Sequence, residues 1–105
     1  MIYILHNLTK PIIINERVIR TVNIDPHCDK HEKEGVSKEK IVEITKSLNN
    51  HYFFPDGEEG NKNYFKHHPT YENKRYKIVW WWWKNQELDK IFIRTCYRIK
   101  YKKKI

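Results

Sequence analysis

The most regular pattern of apolar and polar residues in this chain runs from Lys90 to Lys102. The odd positions from Ile91 to Tyr101 are apolar or threonine, whereas most even positions from Arg94 onward are cationic. Since successive side chains of a strand point to opposite faces, this alternation predicts a strand with one apolar and one cationic face. Residues 75–84, which contain four consecutive tryptophans at 80–83, predict the other arm of a closing hairpin.

Upstream patterns predict three further strands and two helices. Residues 2–5, 12–14 and 17–24 are the strands, with a tight turn at Asn15–Glu16. Asp25 and Pro26 are typical of a helix start, and Gly35 is typical of a left-handed helix end. Ser37 caps the second helix, in which four residues spaced i, i+3, i+4 and i+7 form one buried stripe. These are Ile41, Ile44, Thr45 and Leu48.

The order of these elements predicts one α+β domain over residues 1–105, with 102–105 as a frayed basic tail. Its architecture is a curved antiparallel β-sheet with two N-terminal-half helices packed on one face. Periodicity is lost between Asn49 and Thr70, where the aromatic residues are either edge strands or loop anchors.

The formal charge of +8 favours a polyanionic partner: a nucleic acid, an anionic membrane surface or an acidic protein. RNA fits best, because the cations lie beside aromatic residues. No apolar run is long enough to span a bilayer, and the first residues do not form a secretion signal. Cys28 and Cys96 do not form a CxxC pattern and are expected to be reduced. We therefore expect a cytoplasmic protein that does not act at a membrane.

Two groups of residues predict RNA contacts. Arg94, Arg98 and Lys100 fall on the predicted cationic face, where nearest neighbours are roughly 7 Å apart, similar to phosphates along a single strand. Four adjacent tryptophans place one pair in the core and leave Trp81 and Trp83 to stack on bases. The alternatives are an edge strand that charge protects from aggregation, and tryptophans that lie under a helix or in a homodimer contact.

His27 and His31 are four residues apart in the predicted first helix, with Lys30 between them. This spacing occurs in zinc sites, but further ligands would have to come from remote positions, so no metal or cofactor is predicted. An imidazole suits proton transfer at neutral pH, and Lys30 could stabilise charge on bound RNA. The alternative is a pair of ordinary surface histidines.

Two segments resemble the BrnT and RelE-like ribonuclease toxins of bacterial toxin–antitoxin modules. Asp25-Pro26 followed by Lys33-Glu-Gly-Val-Ser37 is similar to the family's Asp-Pro start and Lys-His-Gly-Val-Ser turn, although Glu34 replaces the histidine. Residues 91–98 are similar to the family's late Arg-containing strand. The resemblance implies a RelE/BrnT-like fold.

The resemblance also implies a metal-independent endoribonuclease that an acidic antitoxin neutralises. His27 or His31 would then act as base or acid, Arg94 and Arg98 would stabilise the phosphorane, and Tyr97 and Lys100 would contact RNA. Two alternatives remain open: a non-enzymatic nucleic-acid-binding or phage or mobile-element interaction protein, and an interaction domain that dimerises through its tryptophans.

Overall fold

The computed structural model describes residues 2–100, with the exception of the side chain of Lys33. Within this range the chain forms seven strands, one 3₁₀ helix and one α-helix. The elements are β1 (Ile4–Ile14), β2 (Arg17–Ile24), the 3₁₀ helix (Pro26–Glu34), α1 (Lys38–Lys46), β3 (Gly57–Glu59), β4 (Lys62–His67), β5 (Thr70–Tyr71), β6 (Lys74–Trp83) and β7 (Lys90–Arg98). The α+β class is therefore confirmed.

The strands form a mixed sheet in the order β1-β2-β7-β6-β4-β3, with β5 paired to β6. Every pair of neighbours is antiparallel except β2 and β7, which run parallel. The prediction of a purely antiparallel sheet was wrong on this point. A parallel pair needs a long crossover connection, and here both helices and four strands separate β2 from β7 along the chain.

Two tight hairpin turns use residues other than glycine in the left-handed region. Asn15 and Glu16 join β1 to β2 with φ values of 53° and 62°, which confirms the predicted turn. Glu72 and Asn73 join β5 to β6 with φ values of 51° and 65°. Positive φ at both central residues matches the right-handed twist of the flanking strands.

The first strand is longer than predicted. Residues 2–5 and 12–14 were expected to be separate strands, but β1 runs from Ile4 to Ile14 with an irregularity between Asn7 and Ile12. The polar residues of this stretch lie on an edge strand, where water can solvate their side chains.

The predicted helix boundaries are confirmed at three positions. The Asp25 carboxylate accepts a hydrogen bond from the His27 N–H at 2.8 Å, and Gly35 ends the 3₁₀ helix with φ 84°. The Ser37 hydroxyl accepts from the Lys40 N–H at 3.2 Å. Between Pro26 and Glu34 the chain winds as a 3₁₀ helix, since this polar stretch lacks the apolar stripe that favours an amphipathic α-helix.

The core lies between α1 and one face of the sheet. The predicted stripe of Ile41, Ile44, Thr45 and Leu48 is buried, each residue being no more than 1% exposed. It packs in one cluster with sheet residues such as Trp80. We call this side of the sheet the core face and the opposite side the outer face.

The predicted basic tail, residues 102–105, lies outside the described residues. Among residues 2–100, no helix is long and apolar enough to cross a membrane.

Candidate nucleic-acid interface

A bulge in β7 determines which residues the sheet presents on each face. Val79 of β6 pairs with Thr95, but the next residue, Trp80, pairs with Ile93. Arg94 is therefore an extra residue with no partner in the ladder. One extra residue reverses the alternation of side chains beyond it. Cys96 accordingly lies in the core and is 0% exposed.

The prediction that Arg94 and Arg98 share one cationic face was wrong. Arg98 pairs with Tyr76, a core-face residue that is 2% exposed. Arg94 lies two residues from Phe92, which stacks on Trp81, and its charge acts on the phenol of Tyr64. Arg94 therefore faces the outer side and Arg98 the core side.

The sequence predicted only some of the residues that lie on the outer face. Paired residues of neighbouring strands share a face, so the pairings of β4, β6 and β7 assign its members. It includes Lys62, Tyr64, Lys66, Lys77, Val79, Trp81, Trp83, Phe92, Arg94, Thr95 and Tyr97. Sequence reasoning missed Lys62, Tyr64 and Lys66, although their spacing of two residues in a lysine- and aromatic-rich segment is the signal of a strand face.

The four tryptophans divide between the faces as predicted, with Trp80 and Trp82 in the core cluster. Trp81 lies outside that cluster but is only 4% exposed. Its ring stacks on Phe92 at 4.2 Å and 10°, and the Trp83 ring meets it edge-on at 5.1 Å. The expectation that Trp81 stacks on bases was therefore wrong, because its faces are already covered. Trp83 is half-buried and remains accessible.

Cations lie directly over these outer-face rings. The ammonium of Lys62 is 4.4 Å from the centre of the Trp81 ring and 5.7 Å from that of Trp83. The ammonium of Lys77 is 6.0 Å from the centre of the Tyr97 ring. These distances are typical of cation–π contacts. The face thus combines positive charge with aromatic surface.

Arg94 is already bound to a carboxylate. Its guanidinium lies 3.0 Å from the Asp25 carboxylate, whose side chain is 3% exposed, whereas that of Arg94 is 48% exposed. Burial raises the pKa of the nearby Tyr3 phenol, and the negative charge of Asp25 raises it further. Arg94 therefore has a structural partner, and half of its side chain remains open to solvent.

The predicted histidines lie together beside the outer face. The rings of His27 and His31 are 6.5 Å apart, and the His31 ring packs against Tyr97 with 5.3 Å between centres. Nδ1 of His31 is buried, and its nearest acidic atom is Oε2 of Glu34 at 3.6 Å. The other predicted residue of this helix, Lys30, is exposed. The structure thus brings His31 and Tyr97 together, which strand alternation alone did not indicate.

Arg98 and Lys100 lie elsewhere. They line a recess at the end of the sheet together with Lys74 and Arg75, and neither histidine of the 3₁₀ helix lines it.

Neither cysteine suits nucleophilic chemistry. Burial raises the pKa of the Cys28 thiol to about 11 and that of Cys96 to about 12. Both thiols are free and remain protonated at neutral pH. In the part of the chain that the structure describes, no group of three or more side chains is placed to hold a metal ion.

No protein-family model, curated protein or solved structure matches this chain. The similarity to BrnT and RelE-like toxins therefore stays a sequence resemblance, and function has to be argued from the geometry.

Proposed function

We propose that this protein binds single-stranded RNA across the outer face of its sheet. The proposal rests on one observation: on the outer face, which α1 does not cover, lysine side chains lie over aromatic rings. The ammonium of Lys62, for example, is 4.4 Å from the centre of the Trp81 ring. Lysine supplies charge for phosphates, and neighbouring rings supply surfaces for bases.

Three half-buried rings are available for stacking: Tyr64, Trp83 and Tyr97. Stacking contributes about 1–3 kcal/mol per base and tolerates any sequence. Lys62, Lys66 and Lys77 would follow the backbone, so affinity should fall as salt rises. The overall charge of +8 supports the same partner.

The test is fluorescence anisotropy of a labelled single-stranded RNA at several salt concentrations. We expect Lys62→Gln combined with Lys77→Gln to weaken binding about tenfold or more and to reduce the salt dependence. The matched control, Lys40→Gln on α1, should have little effect. Equal affinities of the outer-face variant and the control would contradict the proposal. A dimer that dissociates on Trp83→Ala, without RNA affinity, would favour the protein-interaction alternative.

RNA cleavage is a second candidate, favoured by the position of His31 between Glu34 and Tyr97. In the tautomer that carries its proton on Nδ1, on the side of Glu34, the basic nitrogen of His31 would be Nε2. It would take the proton from a 2′-hydroxyl, whose oxygen attacks the adjacent phosphorus while the bond to the 5′-oxygen breaks. His27 would protonate that leaving oxygen. The proposed activity is that of a metal-independent toxin, with an acidic antitoxin as partner.

This second candidate is tested by digesting RNA with chelator present. We expect His31→Ala to abolish cleavage, and His6→Ala, an exposed histidine on β1, to leave it unchanged. Intact RNA after prolonged incubation with the wild-type protein would leave binding as the function. Cleavage that survives His31→Ala would contradict the mechanism.

A further inference from the structure

A recess of about 460 Å³ lies where β5 turns into β6 and β7 ends. Its polar lining consists of Thr70, Asn73, Lys74, Arg75, Arg98 and Lys100. Four of these residues are cations, and the whole lining contains no acidic residue. The volume is within the range of about 300–1,000 Å³ that is usual for small-molecule sites.

The four cations of the recess have no carboxylate partner in the part of the chain that the structure describes. Between residues 2 and 100, no acidic oxygen lies within 4.0 Å of any of them. Some cations elsewhere on the surface do have a carboxylate partner, for example Arg20 with Asp89 and Lys84 with Glu58. The positive charge of the recess is therefore not neutralised within the described chain.

The backbone holds the charged positions close together. Arg75 pairs with Thr70 across the β5–β6 hairpin, and its carbonyl accepts the Ile99 N–H at 2.9 Å. Like charges around one recess repel each other, and a bound anion would offset this repulsion. The positive charge of Arg75 also acts on His67. The pKa of His67 is lowered mainly by burial and further by the charges of His51, His68 and Arg75.

We propose that the recess binds a phosphoryl group with two or more negative charges, either the 5′-terminal phosphate of RNA or the phosphates of a nucleotide. A backbone diester carries a single charge, whereas a phosphate monoester carries about −1.5 to −2 at pH 7. Two arginines can bind such a group through paired N–H donors, with the lysines adding charge. In its RNA form, the inference rests on the proposed function.

The test compares one RNA sequence with a 5′-hydroxyl, a 5′-monophosphate or a 5′-triphosphate end. We expect the phosphorylated ends to bind about tenfold more tightly, the size of one charge-assisted hydrogen bond. Arg75→Gln combined with Arg98→Gln should remove this preference. The matched control is Lys90→Gln at the other end of β7, which should retain it. Should the arginine variant not fold, Lys74→Gln with Lys100→Gln tests the same recess.

A second arm titrates the protein with a nucleoside triphosphate and with tripolyphosphate, read by NMR at Arg75 and Arg98. Equal binding of all RNA ends, with no Arg98-dependent shift from either small ligand, would overturn the recess proposal even if RNA is bound. Arg98-dependent binding of the nucleotide without RNA affinity would instead contradict the proposed RNA function and identify the source of the phosphoryl group as a free nucleotide.

Discussion

The guanidinium of Arg94 lies 3.0 Å from the buried carboxylate of Asp25. The same carboxylate accepts the His27 N–H and so begins the 3₁₀ helix that carries both histidines. The bulged residue of β7 is thereby tied to the start of this helix. Arg94 is consequently a residue that positions the His27–His31 segment, in addition to any contact with RNA.

We expect Asp25→Ala to lower the free energy of unfolding by about 1–3 kcal/mol. The substitution removes a helix cap, worth about 0.5–2 kcal/mol, together with a partly buried ion pair. Urea denaturation measures the change. The control is Asp89→Ala, which removes the exposed partner of Arg20 and should cost less than about 1 kcal/mol. Equal losses in the two variants would show that the Asp25 contacts are unimportant.

Trp81 and Trp83 should respond differently to truncation. Trp81 is 4% exposed, so Trp81→Ala should destabilise the protein by about 3–5 kcal/mol. Trp83 is half-buried, so Trp83→Ala should cost less stability but weaken RNA binding by about 1–3 kcal/mol. Thermal unfolding and RNA anisotropy measure the two effects. A Trp83→Ala variant with unchanged RNA affinity would argue against stacking on this ring.

The stability of the fold should decrease as the pH falls below 6.5, in part because of His67. Burial lowers the pKa of His67 from 6.5, so the unfolded chain takes up a proton at a higher pH than the folded one. Below 6.5 protonation therefore favours unfolding, and above it the effect disappears. We expect His67→Gln to reduce this pH dependence of the melting temperature.

The exposed His6 provides the comparison for His67. His6→Gln should leave the slope of melting temperature against pH as it is in the wild type. If both variants have the same slope as the wild-type protein, His67 does not contribute to the acid sensitivity.

The thiols of Cys28 and Cys96 should resist alkylation in the folded protein. Their pKa values are raised to about 11 and 12, and both side chains are buried. At pH 8 we expect iodoacetamide to modify neither residue within the time that modifies both in urea, as mass spectrometry would show. Rapid labelling without denaturant would mean that the 3₁₀ helix opens readily from β7.

Local sequence signals predicted the helix boundaries well, because capping depends on a few adjacent residues. Asp25, Gly35 and Ser37 have the capping geometry that their residue types indicate. The buried stripe of α1 followed from its spacing alone. Contacts between distant segments were harder to predict, and the parallel pairing of β2 with β7 has no local signal.

The main failure of prediction concerns the face on which each residue of β7 lies. An apolar–cationic alternation was assumed to continue through Arg94, but the bulge there shifts the register by one residue. Glycine often marks a bulge, and β7 contains none. Arg98 was therefore placed on the wrong side, and Tyr97 was thought to lie opposite Arg94. Only the pairing with β6 reveals the true arrangement.

The turns of the β1–β2 and β5–β6 hairpins contain residues whose replacement should stabilise the protein. Glu16 and Glu72 occupy left-handed backbone conformations, in which an L-residue with a Cβ is disfavoured by roughly 1–2 kcal/mol. Glycine at Glu16 would relieve this strain at a position that does not line the recess. It would also raise the net positive charge. This more stable variant would tolerate destabilising substitutions on the outer face and in the recess. The binding affinities of the resulting proteins could then be compared.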